Sequence, residues 1–121
     1  MAWVDEAVEF YKAVGKRIAL SEFTNPKGRF AAGEMYIYAL DFKGTMLAHG
    51  ANERFVGEDF IDVKDPQGKT FVKEIIKVAT QNGNGWVEYK WYDRETKETL
   101  SKAVYFQKVD DVIICSGVYR Q

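Results

Sequence analysis

Cysteine and histidine are almost absent from this chain of 121 residues: Cys115 and His49 are the only ones. A single thiol cannot close an intramolecular disulfide, and one thiolate with one imidazole falls short of the three or four protein ligands of a zinc site. A structural metal site built from these soft ligands is therefore not expected, and no other feature of the sequence calls for a cofactor. Charge of one sign is missing too. Seventeen Lys+Arg stand against 18 Asp+Glu, a formal net charge of -1, so no global positive field draws phosphate backbones and nucleic acid is not an expected partner. No apolar run approaches the roughly 20 residues that span a bilayer. The first residues, Met1 to Glu6, are acidic and amphipathic where a secretory leader would be basic and then apolar. The chain as it stands reads as a soluble polypeptide with no membrane span and no signal peptide.

Apolar side chains are plentiful. With 46% hydrophobic and 15% aromatic residues, the chain can bury a core, and its length predicts a single domain over residues 1–121. From Val4 to Leu20 the residues Val4, Ala7, Val8, Tyr11, Val14 and Ile18 recur at three- and four-residue steps, which predicts one long amphipathic helix. Asp5, Glu6 and Glu9 at its start and Lys16 and Arg17 at its end suit the helix dipole. Thr24 to Gly28 reads as a turn. Two strands follow, Glu34 to Phe42 and Thr45 to His49, joined by Asp41 to Gly44 as a hairpin. Because the first is apolar at nearly every position, both its faces are expected to be covered, as in a central strand.

Gly50 to Gly68 has no sustained period and reads as a binding loop holding at most one short helical turn. Phe71, Val72, Ile75, Ile76 and Ala79 mark a second helix that Gln81, Asn82 and Gly83 stop. Trp86 to Tyr92, Thr99 to Lys108 and Val112 to Tyr119 predict an antiparallel meander. The fold class is α+β: helix, two strands, helix, three strands.

Two groups of residues could carry chemistry. Tyr36, Tyr38, Trp86, Tyr89, Trp91, Tyr92, Tyr105 and Tyr119 crowd the strands, and phenols converging on one face can line a pocket. Ordinary cross-strand packing is the alternative for each. Lys102 lies in the apolar run from Leu100 to Tyr105, where an inward ammonium would need an anion, and His49 ends a strand beside the long loop. The alternative places both on solvated surface. Cys115 sits in a strand context that favours an inert thiol. Asp59, Asp62 and Asp65 lack the spacing of a calcium loop and read as solvated. Ser21, Ser101 and Ser116 have no nucleophile-elbow setting. No placed base or cofactor supports an enzyme.

Phe23, Asn25, Pro26, Gly28 and Phe30, then Tyr36, Asp41, Gly44, the segment Leu47, Ala48, His49, and Asn52, Gly57, Asp65, Gly68 and Phe71 resemble the single Cache (type 2) sensor domain family. Gly83, Gly85, Trp86, Val87, Tyr89, Trp91, Lys102, Tyr105 and the closing Ser116, Gly117, Val118, Tyr119 extend the resemblance over nearly the whole chain. The resemblance implies a PAS-like fold: a long N-terminal helix beside a five-stranded antiparallel sheet of order 2-1-5-4-3, with a second helix between strands 2 and 3. It also implies an extracytoplasmic, often periplasmic, sensor domain of chemoreceptors and histidine kinases that binds small organic acids such as pyruvate, lactate, acetate or propionate. The ligand-binding positions it implies are Tyr36, Tyr38, His49, Tyr89, Trp91, Lys102 and Tyr105. Gly50 stands where the family usually has proline, which predicts a more flexible start to the loop. No output domain follows within these residues.

The leading expectation is a signal-transduction module without turnover, in which Lys102, His49 and tyrosine hydroxyls capture a small carboxylate, order the Gly50 to Gly68 loop and shift the first helix. The competing expectation is a ligand-independent structural module, a homodimer in which the apolar stripe of the first helix pairs with its copy.

Overall fold

The computed structural model describes residues 2–32, 35–93 and 96–119. The predicted first helix is two helices, α1 (Ala2–Val14) and α2 (Lys16–Thr24). Gly15 separates them with φ +89°, a left-handed backbone that a continuing helix cannot adopt and that glycine takes without steric cost. The periodicity carries on across the break, which is why the pattern alone reads as one helix. Lys16 Nζ lies 3.0 Å from Asp111 Oδ2 and ties the start of α2 to the last hairpin turn, an exposed pair of small energetic weight.

The strands are β1 (Ala31–Ala32), β2 (Met35–Asp41), β3 (Met46–His49), β4 (Asn84–Asp93), β5 (Glu98–Val109) and β6 (Val112–Tyr119), with α3 (Phe71–Asn82) between β3 and β4. Glu34, the expected start of the second of these, lies outside the described residues. The sheet runs β1-β2-β6-β5-β4, with β3 also paired to β2. Apart from the added two-residue β1, this is the expected 2-1-5-4-3 order, and every pairing is antiparallel. β2 is central as expected, between β3 and β6.

Period-two alternation sorts the core into two layers. Ile37, Ala39, Val112 and Ile114 face α1 and α2 and pack with Val4, Ala7, Val8, Tyr11, Ala19, Phe23 and Phe30. Tyr38, Leu40, Val87, Tyr89, Val104, Phe106, Ile113 and Cys115 face α3 and the long loop. The apolar stripe of α1 is thus buried within its own chain, with Val4 and Ala7 at 0% exposure. Of the side chains in the expected pairing stripe, Val4, Ala7, Val8 and Tyr11 are covered within the chain, Val14 is partly so and Ile18 on α2 is 50% exposed, while Asp5, Glu6, Glu9 and Lys12 point outward.

Residues 50–70 contain the one helical turn foreseen, a 3-10 turn over Glu53–Phe55. Two findings correct the reading of this loop as loosely held. Gly50 is buried; its amide donates to Ile37 O at 2.9 Å, and a Cβ there would lie 3.0 Å from both Phe23 O and Tyr36 Cβ. The position therefore fastens the loop to β2 through an N–H that proline lacks. Asp65 is not solvated: it is buried, its Oδ1 accepts from the amides of Gln67 (3.0 Å) and Lys69 (2.8 Å), and its Oδ2 accepts from Lys90 N at 2.9 Å. Burial alone would raise the carboxyl pKa, but the amide donors outweigh it and hold it below the usual range. The lower end of the loop is pinned to β4 in this way, and Lys69 Nζ donates to Glu88 O on the same edge. The expectation of solvated side chains holds for the exposed Asp59 and Asp62.

Candidate functional site

Strand order brings β2 and β5 close across β6, and the site forms there on the face turned toward α3 and the loop. Lys102, on β5, is 2% exposed. Its Nζ donates to Tyr36 Oη at 2.7 Å and sits among ring faces, 4.6 Å from the Tyr36 centroid, 5.3 Å from Tyr119 and 5.8 Å from Tyr38. Ring quadrupoles attract a cation but do not replace a counter-ion. Lys102 pairs with no carboxylate among the described residues. Burial lowers its pKa to about 7.

His49 closes the site from β3. Its Nδ1 accepts from the amides of Ala51 (3.2 Å) and Asn52 (2.9 Å). Two donors on one nitrogen require that nitrogen to be unprotonated, so the neutral ring carries its proton on Nε2. Burial, and then the nearby Lys102 charge, lower the imidazole pKa to about 3. Its backbone N–H donates to Thr24 Oγ1 at 3.2 Å, fixing the residue to the end of α2. The ring stacks on Tyr38 (5.8 Å, 21°) and meets Phe55 edge-on at 5.0 Å. The Nε2–H has no partner among the described residues.

Tyr36, His49, Phe55 and Trp91 form a shared wall between two spaces. Inside it lies a hollow of about 10 Å³ that also touches Lys102, Tyr38 and Tyr89, room for a single water at most. Outside lies a cleft of about 980 Å³, bounded by Ala31, Ala32, residues 49–55, Trp91 to Asp93 and Tyr119. Tyr36 and His49 reach the cleft; Lys102 does not.

The structure thus gathers Tyr36, His49, Trp91 and Lys102. Tyr38 and Tyr89 lie deeper, their hydroxyls 3.0 Å apart in a buried pair that satisfies both. Tyr105 is not brought to the site. It projects from the opposite face, where it packs against Trp86 at 5.3 Å and accepts from Asn84 Nδ2. An offset of three on a strand reverses the face, so Lys102 and Tyr105 cannot line one pocket. Phe55 is not among the sequence candidates, and Tyr119 is among the strand aromatics but not among the ligand positions that the resemblance implies. Tyr119 was findable, since it stands opposite Lys102 in the β5–β6 register; Phe55 lies in an aperiodic segment that carries no such signal. Cys115 is fully buried, and burial pushes its thiol pKa well up, in keeping with an inert thiol. Among the described residues no cluster of His, Cys, Asp and Glu could hold a metal ion, and no helix is long and apolar enough to cross a membrane.

Gly117 makes room for the ammonium. A Cβ at this position would fall 2.8 Å from Lys102 Cε and from Val104 Cγ2, and 3.1 Å from Ala103 O. Gly117→Ala is expected to cost about 1–3 kcal/mol of stability through overpacking, as a lower urea midpoint, and to weaken binding of any ligand that depends on where Lys102 sits.

Comparison with known proteins gives the family, two curated relatives and two solved structures. A family model for "Single Cache domain 2" matches residues 12–121. Methyl-accepting chemotaxis protein McpP of Pseudomonas putida is 33% identical over 86 residues, covering 69% of this chain and 16% of that protein. Sensor histidine kinase MctS of Rhizobium johnstonii is 27% identical over 86 residues, covering 69% and 18%. The chain therefore spans less than a fifth of the length of these curated relatives. Among solved structures, a methyl-accepting chemotaxis protein from Vibrio parahaemolyticus superposes with TM-score 0.83 at 22% identity, over 98% of this chain and 84% of the other. A Cache chemosensory domain described for its carboxylic acid recognition superposes with TM-score 0.75 at 24% identity, over 99% and 85%. At these identities the superpositions show a common fold.

Proposed function

The chain belongs to the single Cache domain 2 family, and from that premise we propose that it is the sensing domain of a chemotaxis or sensor-kinase protein whose ligand is a small organic carboxylate. The observation that supports this most is the buried ammonium of Lys102, paired with no carboxylate among the described residues, beside the unpartnered Nε2–H of His49. A buried charge without a counter-ion is costly. An anion arriving at the wall of Tyr36 and His49 would relieve that cost and accept charge-assisted hydrogen bonds in an aromatic, water-poor setting. The solved Cache domain described for carboxylic acid recognition favours the same ligand class. Ligand pressed on Tyr36 and His49 would act on two anchors at once: Gly50, which fastens the loop, and Thr24, which joins His49 to α2. Signal output then follows from the difference in affinity between two arrangements of these elements.

Thermal unfolding of the 121-residue chain with acetate, propionate, lactate and pyruvate, each beside its amide or alcohol counterpart, tests this reading. The acids are expected to raise the melting temperature in a concentration-dependent way and the neutral analogues to leave it unchanged. Equal stabilisation by acids and amides, or none by either, would reject the carboxylate assignment.

A further inference from the structure

We propose that the outer face of β4 and β5 is a docking surface for a second copy of this chain, the two sheets meeting face to face about a two-fold axis that crosses β4 between Glu88 and Lys90. Period-two alternation turns Trp86, Glu88, Lys90 and Tyr92 away from α3 and the long loop. On β5, Tyr105, Ala103, Ser101 and Thr99 stand opposite them rung by rung. Side-chain contacts show the shared face: Trp86 meets Tyr105 at 5.3 Å, and Lys90 Nζ donates to Ser101 Oγ at 2.7 Å. α1 covers this side of β5 only as far as Gln107, whose side-chain amide donates to Asp5. Beyond it Trp86 and Tyr92 stand half exposed, and so does Val118, opposite Ala103 on β6. These are three of the five large hydrophobic side chains left exposed among the described residues, gathered on one face. β5 turns Lys102 to the other side, so this surface is separate from the candidate site.

The order of side chains along β4 selects the occupant. From Trp86 to Tyr92 it runs aromatic, acid, base, aromatic, and reversal of that order gives its own complement. A two-fold axis lying in the interface, across the strand between Glu88 and Lys90, sets Glu88 over the partner's Lys90 and Trp86 over the partner's Tyr92, and each contact occurs twice. On the neighbouring strand Ala103 falls over the partner's Ser101, small side chains that let the sheets approach between the aromatic ends. Opposite charges thus meet at the centre and like charges stay apart. Edge-to-edge pairing of two copies through β4 is closed off, because Asp65 Oδ2 already accepts from Lys90 N and Lys69 Nζ already donates to Glu88 O. The side chains of β4 remain open where its backbone is not. The face runs about 20 Å along β4, six steps of roughly 3.3 Å, and three strands wide, about 10 Å between the outer strand axes. That size lies at the small end of specific interfaces, so the association is weak, with a dissociation constant on the order of 10–1,000 μM.

Sedimentation equilibrium of the 121-residue chain, without ligand, from about 10 μM to about 1 mM tests this. The parent chain is expected to show a reversible monomer–dimer equilibrium in that range. Glu88→Lys or Lys90→Glu alone sets like charges against each other at both symmetry-related contacts and is expected to weaken association at least about tenfold. The double variant Glu88→Lys/Lys90→Glu exchanges the two signs and is expected to return to within about threefold of the parent. Trp86→Ser is expected to leave the chain monomeric throughout. These side chains lie at the surface, so the variants should keep the circular dichroism and urea midpoint of the parent. A parent chain that stays monomeric at 1 mM would overturn the proposal and leave the face to a segment of another protein. A dimer that Trp86→Ser does not weaken would place the contact elsewhere, α1 included, and a charge exchange that fails to restore association would reject the two-fold register. Carboxylate recognition stands or falls separately, because no acid is present in the measurement.

Discussion

Lys102→Met is expected to raise the stability of the ligand-free chain by about 1–4 kcal/mol at pH 7, the range seen when buried charges give way to apolar side chains of similar volume, while removing its response to carboxylates. Lys102 is 2% exposed with no carboxylate partner among the described residues, and burial brings its pKa from 10.5 to about 7. In the unfolded chain the ammonium is hydrated and keeps its ordinary value. Between pH 7 and 10.5 the unfolded state therefore holds more protons than the folded one, so stability rises with pH across that window. The full penalty applies below pH 7 and is on the order of 4–5 kcal/mol for that displacement. The methionine variant has no such slope. Its advantage should be greatest at or below pH 7 and close as pH approaches 10.5, measured by urea unfolding at a series of pH values. His49 adds a separate acid limb in both proteins: its pKa falls from 6.5 to about 3 on folding, so stability is complete above 6.5 and declines as pH drops toward 3. A Lys102→Met chain less stable than the parent at pH 7 would show that the aromatic cage and Tyr36 already compensate the ammonium.

Proton uptake on ligand binding is the second large effect. Near pH 7 about half the Lys102 side chains of the free protein are neutral, and a carboxylate arriving at the wall favours the charged form. Binding should therefore draw in about half a proton at pH 7 and close to one at pH 8.5. The affinity should fall about tenfold per pH unit above 7, until the raised pKa of the complex is reached. Calorimetry in two buffers of different ionisation enthalpy measures the uptake directly. A binding enthalpy independent of the buffer would show that Lys102 is fully charged before the ligand arrives. His49 takes no part in this window, because its ring is neutral throughout it.

Much of the site was within reach of the sequence, and one error was avoidable. Lys102 and Tyr105 are three residues apart in a single strand, so the alternation of strand faces already separates them. The same alternation pairs Tyr36 with Tyr38 and Tyr89 with Trp91, and both pairs lie on the face turned toward α3 and the long loop. Asp65 was misread because neighbouring aspartates in an aperiodic stretch look alike. Only the approach of β4 supplies the Lys90 amide, 25 residues away, that turns one of them into an anchor.

By itself, the order of residues determined the succession of elements apart from the break at Gly15 and the two-residue β1, together with the ends of α3, the hairpins of the last three strands and the burial of both faces of β2, since each depends on neighbours within a few positions in the chain. Family likeness extended this to the strand order. Only the tertiary structure decided that Lys102 meets Tyr36 across 66 residues, that the ammonium stands behind a wall and outside the cleft, and that Gly117 leaves it the space to do so. These outcomes depend on strand register and close packing, where a displacement of one residue reverses every side chain, and no local pattern encodes the distance between two groups on separate strands.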